Sequence, residues 1–196
     1  MDVEEVMTEV MADFDFYSNS GGGVTISGGE PMLHFPFVME LLQRCREKGV
    51  NTCIETSGYV SEVQFRKILP FVDTLLFDYK ISGSYEHRRY TGVANELILN
   101  NLAYACDSSV PTILRCPVIP GINDTEEHFR YIRLMDKIYP NLKGIELLPY
   151  HSAGNNKRIS LGSEETLCGL GTTPPEVATD WLEQLKRLGC KKVRIG

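Results

Sequence analysis

The chain has 196 residues, 42% of them hydrophobic and 23% charged, with a formal charge of −6. These fractions exclude wholesale disorder, and 20 Lys plus Arg against 26 Asp plus Glu argues against general nucleic-acid binding, which needs a basic face. No apolar run approaches the roughly 20 residues of a membrane helix, and the acidic start is unlike a signal peptide, so one cytoplasmic domain over 1–196 without a membrane partner is expected.

The opening segment predicts a helix. Val3, Val6, Met7, Val10, Met11 and Phe14 fall on one face of a 3.6-residue period, with Asp2 as its N-cap, and the run Ser18 to Gly23 ends it. The chain then alternates between short β-type runs and helical patterns. The β-type runs are Val24–Ser27, Thr52–Thr56, Thr74–Asp78, Thr112–Val118, Gly144–Leu148 and Lys192–Ile195. Between them, Phe37, Leu41, Leu42 and Cys45 form a helical stripe ended by Gly49. Glu62–Leu69 is a short helix stopped at Pro70, and Leu97–Cys106 is another. Asp124 and Glu127 read as a capping box for a stripe of Phe129, Ile132, Met135 and Ile138. Val177, Trp181, Leu182, Leu185 and Leu188 give the last stripe, ended by Gly189.

Alternating strand and helix implies a parallel sheet with crossover helices. A complete eight-stranded barrel takes about 250 residues. About six parallel strands here fit an α/β fold that is a partial, open TIM-like barrel. Segment 152–175, long and rich in Gly, Ser, Thr and Pro, reads as a functional loop or gate. The six cysteines, Cys45, Cys53, Cys106, Cys116, Cys168 and Cys190, are too widely spaced for a local metal-binding motif. They read as reduced, buried thiols.

In such folds function collects at the carboxyl ends of the strands. Those ends carry Gly28, Gly29 and Glu30; Glu55, Thr56 and Ser57; Asp78 and Lys80; Arg115 with Asn123 just beyond; and Leu148, Tyr150 and His151. Each has an ordinary reading. The glycines suit a tight turn, the carboxylates suit helix caps, Lys80 suits a solvated surface, and His151 suits a satisfied loop. Arg115 is the exception, because a charge inside a strand pattern must enter a barrel mouth or pair with a carboxylate.

The run Ser20-Gly21-Gly22-Gly23-Val24-Thr25-Ile26-Ser27-Gly28-Gly29-Glu30-Pro31 resembles the GGE region of radical S-adenosylmethionine (radical SAM) enzymes, and within them the glycyl-radical-enzyme activating enzymes, the pyruvate formate-lyase activating type among them. Glu55-Thr56-Ser57-Gly58, Asp78-Tyr79-Lys80, the run Val118 to Asp124, and the run Glu146 to His151 follow in that family's order. The resemblance covers essentially the whole chain. One departure stands out: the family's CxxxCxxC motif, whose thiolates hold a [4Fe–4S] cluster, is missing. The chain therefore resembles the later part of such an enzyme, without its first strand and cluster loop, and is expected to be inactive alone.

The resemblance implies a mechanism and a set of roles. In the family, SAM is cleaved reductively at the cluster, and a 5′-deoxyadenosyl radical takes hydrogen from a glycine Cα of a partner glycyl radical enzyme. An electron donor such as flavodoxin or ferredoxin is implied. Gly28 and Gly29 would let backbone approach the SAM amino group, and Glu30 would orient or offset its charge. Glu55, Thr56, Asp78 and Lys80 would lie at the methionine moiety, with Ser57 beside them and Arg115 as a carboxylate or ribose contact. Asn123, Leu148 and Tyr150 would line adenine, and His151 the ribose. Two other readings of the same residues are a barrel aldolase using Lys80 as a Schiff-base lysine and a module that binds SAM or a partner without catalysis.

Overall fold

The structure, a computed structural model, describes residues 2–152 and 170–196. The first helix, α1 (Val3–Ala12), begins with the expected cap: the Asp2 carboxylate accepts from Glu5 N, and the Glu5 carboxylate accepts from Asp2 N, both at 2.9 Å. A second helix, α2 (Phe14–Ser20), follows at once, where the sequence predicted a turn from Ser18. The reason is local. Ser18, Asn19 and Ser20 bond back to carbonyls three or four residues earlier and so stay within the helix. The turn comes only at Gly21.

Among the described residues six strands follow, separated by helices: β1 (Gly23–Ile26), β2 (Asn51–Thr56), β3 (Thr74–Asp78), β4 (Thr112–Val118), β5 (Gly144–Pro149) and β6 (Val193–Ile195). They pair in parallel in chain order, β1-β2-β3-β4-β5-β6. The intervening helices are α3 (Phe35–Glu47), α4 (Glu62–Ile68), α5 (Ser84–Thr91), α6 (Glu96–Asp107), α7 (Glu126–Ile138) and α8 (Pro175–Arg187). This is the expected partial, open barrel of parallel strands.

Three details depart from the sequence reading. Pro70 sits inside a 3₁₀ turn (Leu69–Phe71) that extends α4 instead of merely stopping it. α5 went unanticipated because only His87 of its eight residues is buried, so it shows no apolar stripe. The cap of α7 is Thr125, whose hydroxyl accepts from His128 N, whereas Asp124 accepts from Gly121 N at 2.7 Å and closes the preceding turn.

Strand order equal to chain order puts successive crossovers on the same side of the sheet. That side carries Ile54, Leu75, Phe77, Leu114, Cys116, Val118, Ile145 and Leu147, each fully buried. They form one core with Phe65 and Ile68 of α4, Ile98 and Leu102 of α6, Phe129 and Ile132 of α7, and Trp181 and Leu185 of α8. A smaller cluster holds α1 on the rest: Val3, Met7 and Val10 pack with Leu41, Cys45 and Val50.

Candidate functional site

The opposite face of the sheet has a different chemistry. Side chains alternate along each strand, so the residues between the core positions share this face. Register fixes who stands beside whom. Thr25, Cys53 and Thr74 form one row. Glu55, Leu76, Ile113 and Gly144 form the next. Asp78, Arg115, Glu146 and Arg194 form a third, of alternating sign, across four strands. A parallel sheet ordinarily buries both faces behind apolar side chains; here one face carries a charged row instead.

The charges are paired in a definite way. Lys80 Nζ lies 2.9 Å from Asp78 Oδ2, and Arg194 Nη2 lies 2.7 Å from Glu146 Oε1. Arg115, placed in register between Asp78 and Glu146, pairs with neither as an ion pair. Its Nη1 instead reaches over β3 to Glu55 Oε1 on β2, at 2.5 Å. Arg115 Nε is buried with no partner. Cys53, two residues before Glu55, feels both groups: burial is the main cause that pushes its thiol up, Thr25 and Arg115 oppose the rise, and Glu55 adds to it.

At the carboxyl rim the loop after β1 is stapled to the end of β2. Glu30 Oε1 accepts from Thr56 Oγ1 at 2.7 Å and from Met32 N at 3.3 Å, and its Oε2 accepts from Ser57 N at 2.9 Å and Ser57 Oγ at 2.5 Å. Gly28 and Gly29, just before it, are exposed, and Gly28 has φ +122 with open space where a Cβ would sit. Only glycine holds that conformation without strain. Gly58, after β2, is also obligatory. It has φ +72, and a Cβ there would meet the Phe77 ring 2.2 Å away.

The next two rim segments are held from below. Asn123 donates to Lys80 O and Pro117 O and accepts from Ile119 N, all at 2.7 Å. Its side chain thus ties the end of β3 to the turn after β4, and its buried amide is spent on backbone. Tyr79 OH donates to Ser82 Oγ at 3.0 Å, and Ser82 Oγ lies 2.6 Å from His128 Nδ1. The Tyr79 and His128 rings stack at 5.7 Å. Burial pushes the His128 imidazole down to about 4 and is the main cause that pushes the Tyr79 phenol up to about 12. Beyond β5, Tyr150 N donates to Val118 O, Thr173 N donates to Tyr150 O, and His151 is exposed.

The expected site residues thus stand on neighbouring strand ends of one rim. Glu30–Thr56–Ser57, Glu55–Arg115, Asp78–Lys80 and Asn123–Lys80 are brought into direct contact. Leu148 lies in register with Pro117 on the inner face. Sequence reasoning passed over Glu146 and Arg194. Both, like Arg115, are charges inside β-type runs. It also missed Ser82 and His128, whose partnership only the fold creates. Residues 153–169 of the expected gate lie outside the described residues, and Pro175, at its end, begins α8.

A SAM-like ligand fits what is present. The open space at Gly28 admits close backbone approach, and the orphaned Arg115 Nε is a buried donor suited to a carboxylate. For a metal cluster, no group of three His, Cys, Asp or Glu among the described residues could serve as ligands, and Cys168 lies outside them.

Comparisons with known proteins agree on one family. The radical SAM superfamily profile matches residues 1–132. The choline trimethylamine-lyase activating enzyme of Oleidesulfovibrio alaskensis is 39% identical over 171 residues, covering 85% of this chain and 55% of that protein. The pyruvate formate-lyase 1-activating enzyme of Escherichia coli is 33% identical over 188 residues, covering 94% of this chain and 74% of that one. A solved domain of a pyruvate-formate lyase-activating enzyme from Bacteroides vulgatus superposes with a TM-score of 0.72 at 29% identity, over 89% of this chain and 99% of that domain. The chain spans about half the length of the first curated relatives it matches. No helix among the described residues is long and apolar enough to cross a membrane.

Proposed function

We propose that this chain, which belongs to the radical SAM superfamily and within it to the glycyl-radical-enzyme activating enzymes, is the barrel portion of an activase that binds S-adenosylmethionine across its carboxyl rim and sets a radical on a glycine of a partner enzyme. The observation that carries the reading is the inner-face charge network ending at that rim, with one buried guanidinium donor left over. When bound, SAM supplies the hydrogen-abstracting chemistry; the protein supplies position and electrostatics.

Each residue has a task. The backbone at Gly28 and Gly29 approaches the ligand's amino group, and Glu30 holds that loop against Thr56 and Ser57 while keeping negative charge near the ammonium and sulfonium. Lys80 and the Arg115 guanidinium supply positive charge for the methionine carboxylate, and Asp78 and Glu55 hold those two cations in place. Asn123 fixes the Ile119–Ile122 turn that would line adenine with Leu148 and Tyr150, and His151 meets the ribose. The three-thiolate cluster site belongs to sequence other than the described residues, and the reductant is a small electron carrier such as flavodoxin or ferredoxin. The setting is the cytoplasm, and the open side of the barrel admits the partner's glycine loop. Lys80 sits in an ion pair, not in the apolar pocket that activates an amine nucleophile, so the aldolase reading has no support in the geometry.

Calorimetric titration of this chain with SAM tests the binding half; saturable binding that weakens at least tenfold in Arg115→Gln is expected, and no binding overturns it. The activase half is tested on the full-length gene product with its cluster reconstituted, by electron paramagnetic resonance for a glycyl radical on the partner.

A further inference from the structure

The third inner row poses a question of partner choice. Arg115 stands in register between two carboxylates, Asp78 and Glu146, yet its guanidinium crosses β3 to pair with Glu55 two strands away. Both neighbours are already taken. Asp78 holds Lys80 at 2.9 Å, and Glu146 holds Arg194 at 2.7 Å. The second pair has room made for it. Gly144, two residues before Glu146 on the same face, would place a Cβ only 3.1 Å from Arg194 Nη1, so a side chain there would crowd the guanidinium. Glu146 is well covered while Arg194 is about half exposed, at 18% and 54%. A carboxylate in that setting attracts a neighbouring cation, and without Arg194 the cation in register beside it is Arg115, which would have to leave Glu55.

We propose that Arg194, on the last strand, is a positioning residue for the ligand site: by neutralising Glu146 it leaves the Arg115 guanidinium on Glu55. It touches no ligand itself. Its functional consequence rests on the SAM-binding reading above, whereas the charge placement stands independently.

The chain carries its own reporter. Cys53 lies in the row below Glu55, is partly exposed, and senses Glu55 and Arg115 with opposite sign. Cys45, Cys106, Cys116 and Cys190 are buried. In a Cys168→Ser background, the rate of iodoacetamide alkylation at Cys53 is measured at fixed pH. Arg194→Gln frees Glu146 to draw Arg115 from Glu55, which removes a cation that holds the Cys53 thiol down, and the Cys53 rate is expected to fall about threefold. Glu146→Gln alone, Arg194→Lys, and the Glu146→Gln/Arg194→Gln double variant are each expected to react within about 1.5-fold of the parent.

The double variant tests that Glu146 is the agent, and distance excludes a direct effect of the lost charge. β2 and β6 are four strand spacings apart, about 19 Å along the curved sheet, beyond the screening length at physiological salt. An unchanged rate in Arg194→Gln, or a double variant as slow as the single one, overturns the proposal. SAM affinity is read in parallel and is expected to fall about fivefold in Arg194→Gln and recover in the double variant. The expected thiol pattern with no SAM binding by any variant would uphold the placement of Arg115 and remove the binding reading instead.

Discussion

The two faces of the sheet are made from alternate residues of the same strands, yet they obey different rules. On the helix-covered face, Ile54, Phe77, Leu114 and Leu147 are fully buried and interchangeable in kind, because burial of apolar area is non-directional. On the bare face, Glu55, Asp78, Arg115, Glu146 and Arg194 are specific in kind and in partner. The covered face holds the apolar core, and the bare face holds the paired charges of the proposed site.

The largest test strikes the covered face. Phe77 packs edge-on against Phe65, with ring centroids 6.2 Å apart, and lies under Gly58. Phe77→Ala is expected to cost about 3–5 kcal/mol in urea unfolding; a loss below about 1 kcal/mol would break the comparison. The next concerns the Tyr79–Ser82–His128 clasp on the covered side. His128 is 3% exposed and its imidazole is held down at about 4, against 6.5 unburied. Between those values the unfolded chain binds the extra proton, so stability is fully present above about pH 6.5 and is lost as pH falls toward 4. The full loss is about 3 kcal/mol, and unfolding curves of His128→Asn over that window should be correspondingly flatter.

Smaller effects are expected on the bare face. Arg115→Gln is expected to change stability by less than about 1 kcal/mol, since its partner Glu55 can be solvated, while SAM affinity falls at least tenfold. A variant that unfolds instead would make the inner network structural and erase the division. The smallest effect belongs to neither face. Arg130 and Glu126 form an i,i+4 pair on α7 with both side chains about 70% exposed. Arg130→Ala should shift stability by about 0.5 kcal/mol or less, by the same unfolding assay.

Much of this division was legible in the sequence because alternation is a local signal. Arg115 stood out as a charge inside the β-type run Thr112 to Val118. The order of the β-type runs gave the parallel sheet. What stayed hidden depends on register and on contacts far apart in the chain. That Arg115 neighbours Glu146 but pairs with Glu55 cannot be read from spacing. Nor can the use of Asn123, which looks like a helix cap and serves as a clamp on Lys80 O and Pro117 O. The Thr125 cap was missed for a nearer reason: Asp124 and Thr125 are both good capping residues, and only the turn at Gly121 decides between them.

The sheet's order, β1 through β6 without a skip, also bears on how the molecule is made. Each strand pairs with the one synthesised just before it, so no pairing must wait for a distant segment to leave the ribosome. Loop closure is correspondingly short for a parallel sheet. The barrel can grow by accretion, one hairpin-free unit at a time, and the rim acquires its polar groups in the same sequence.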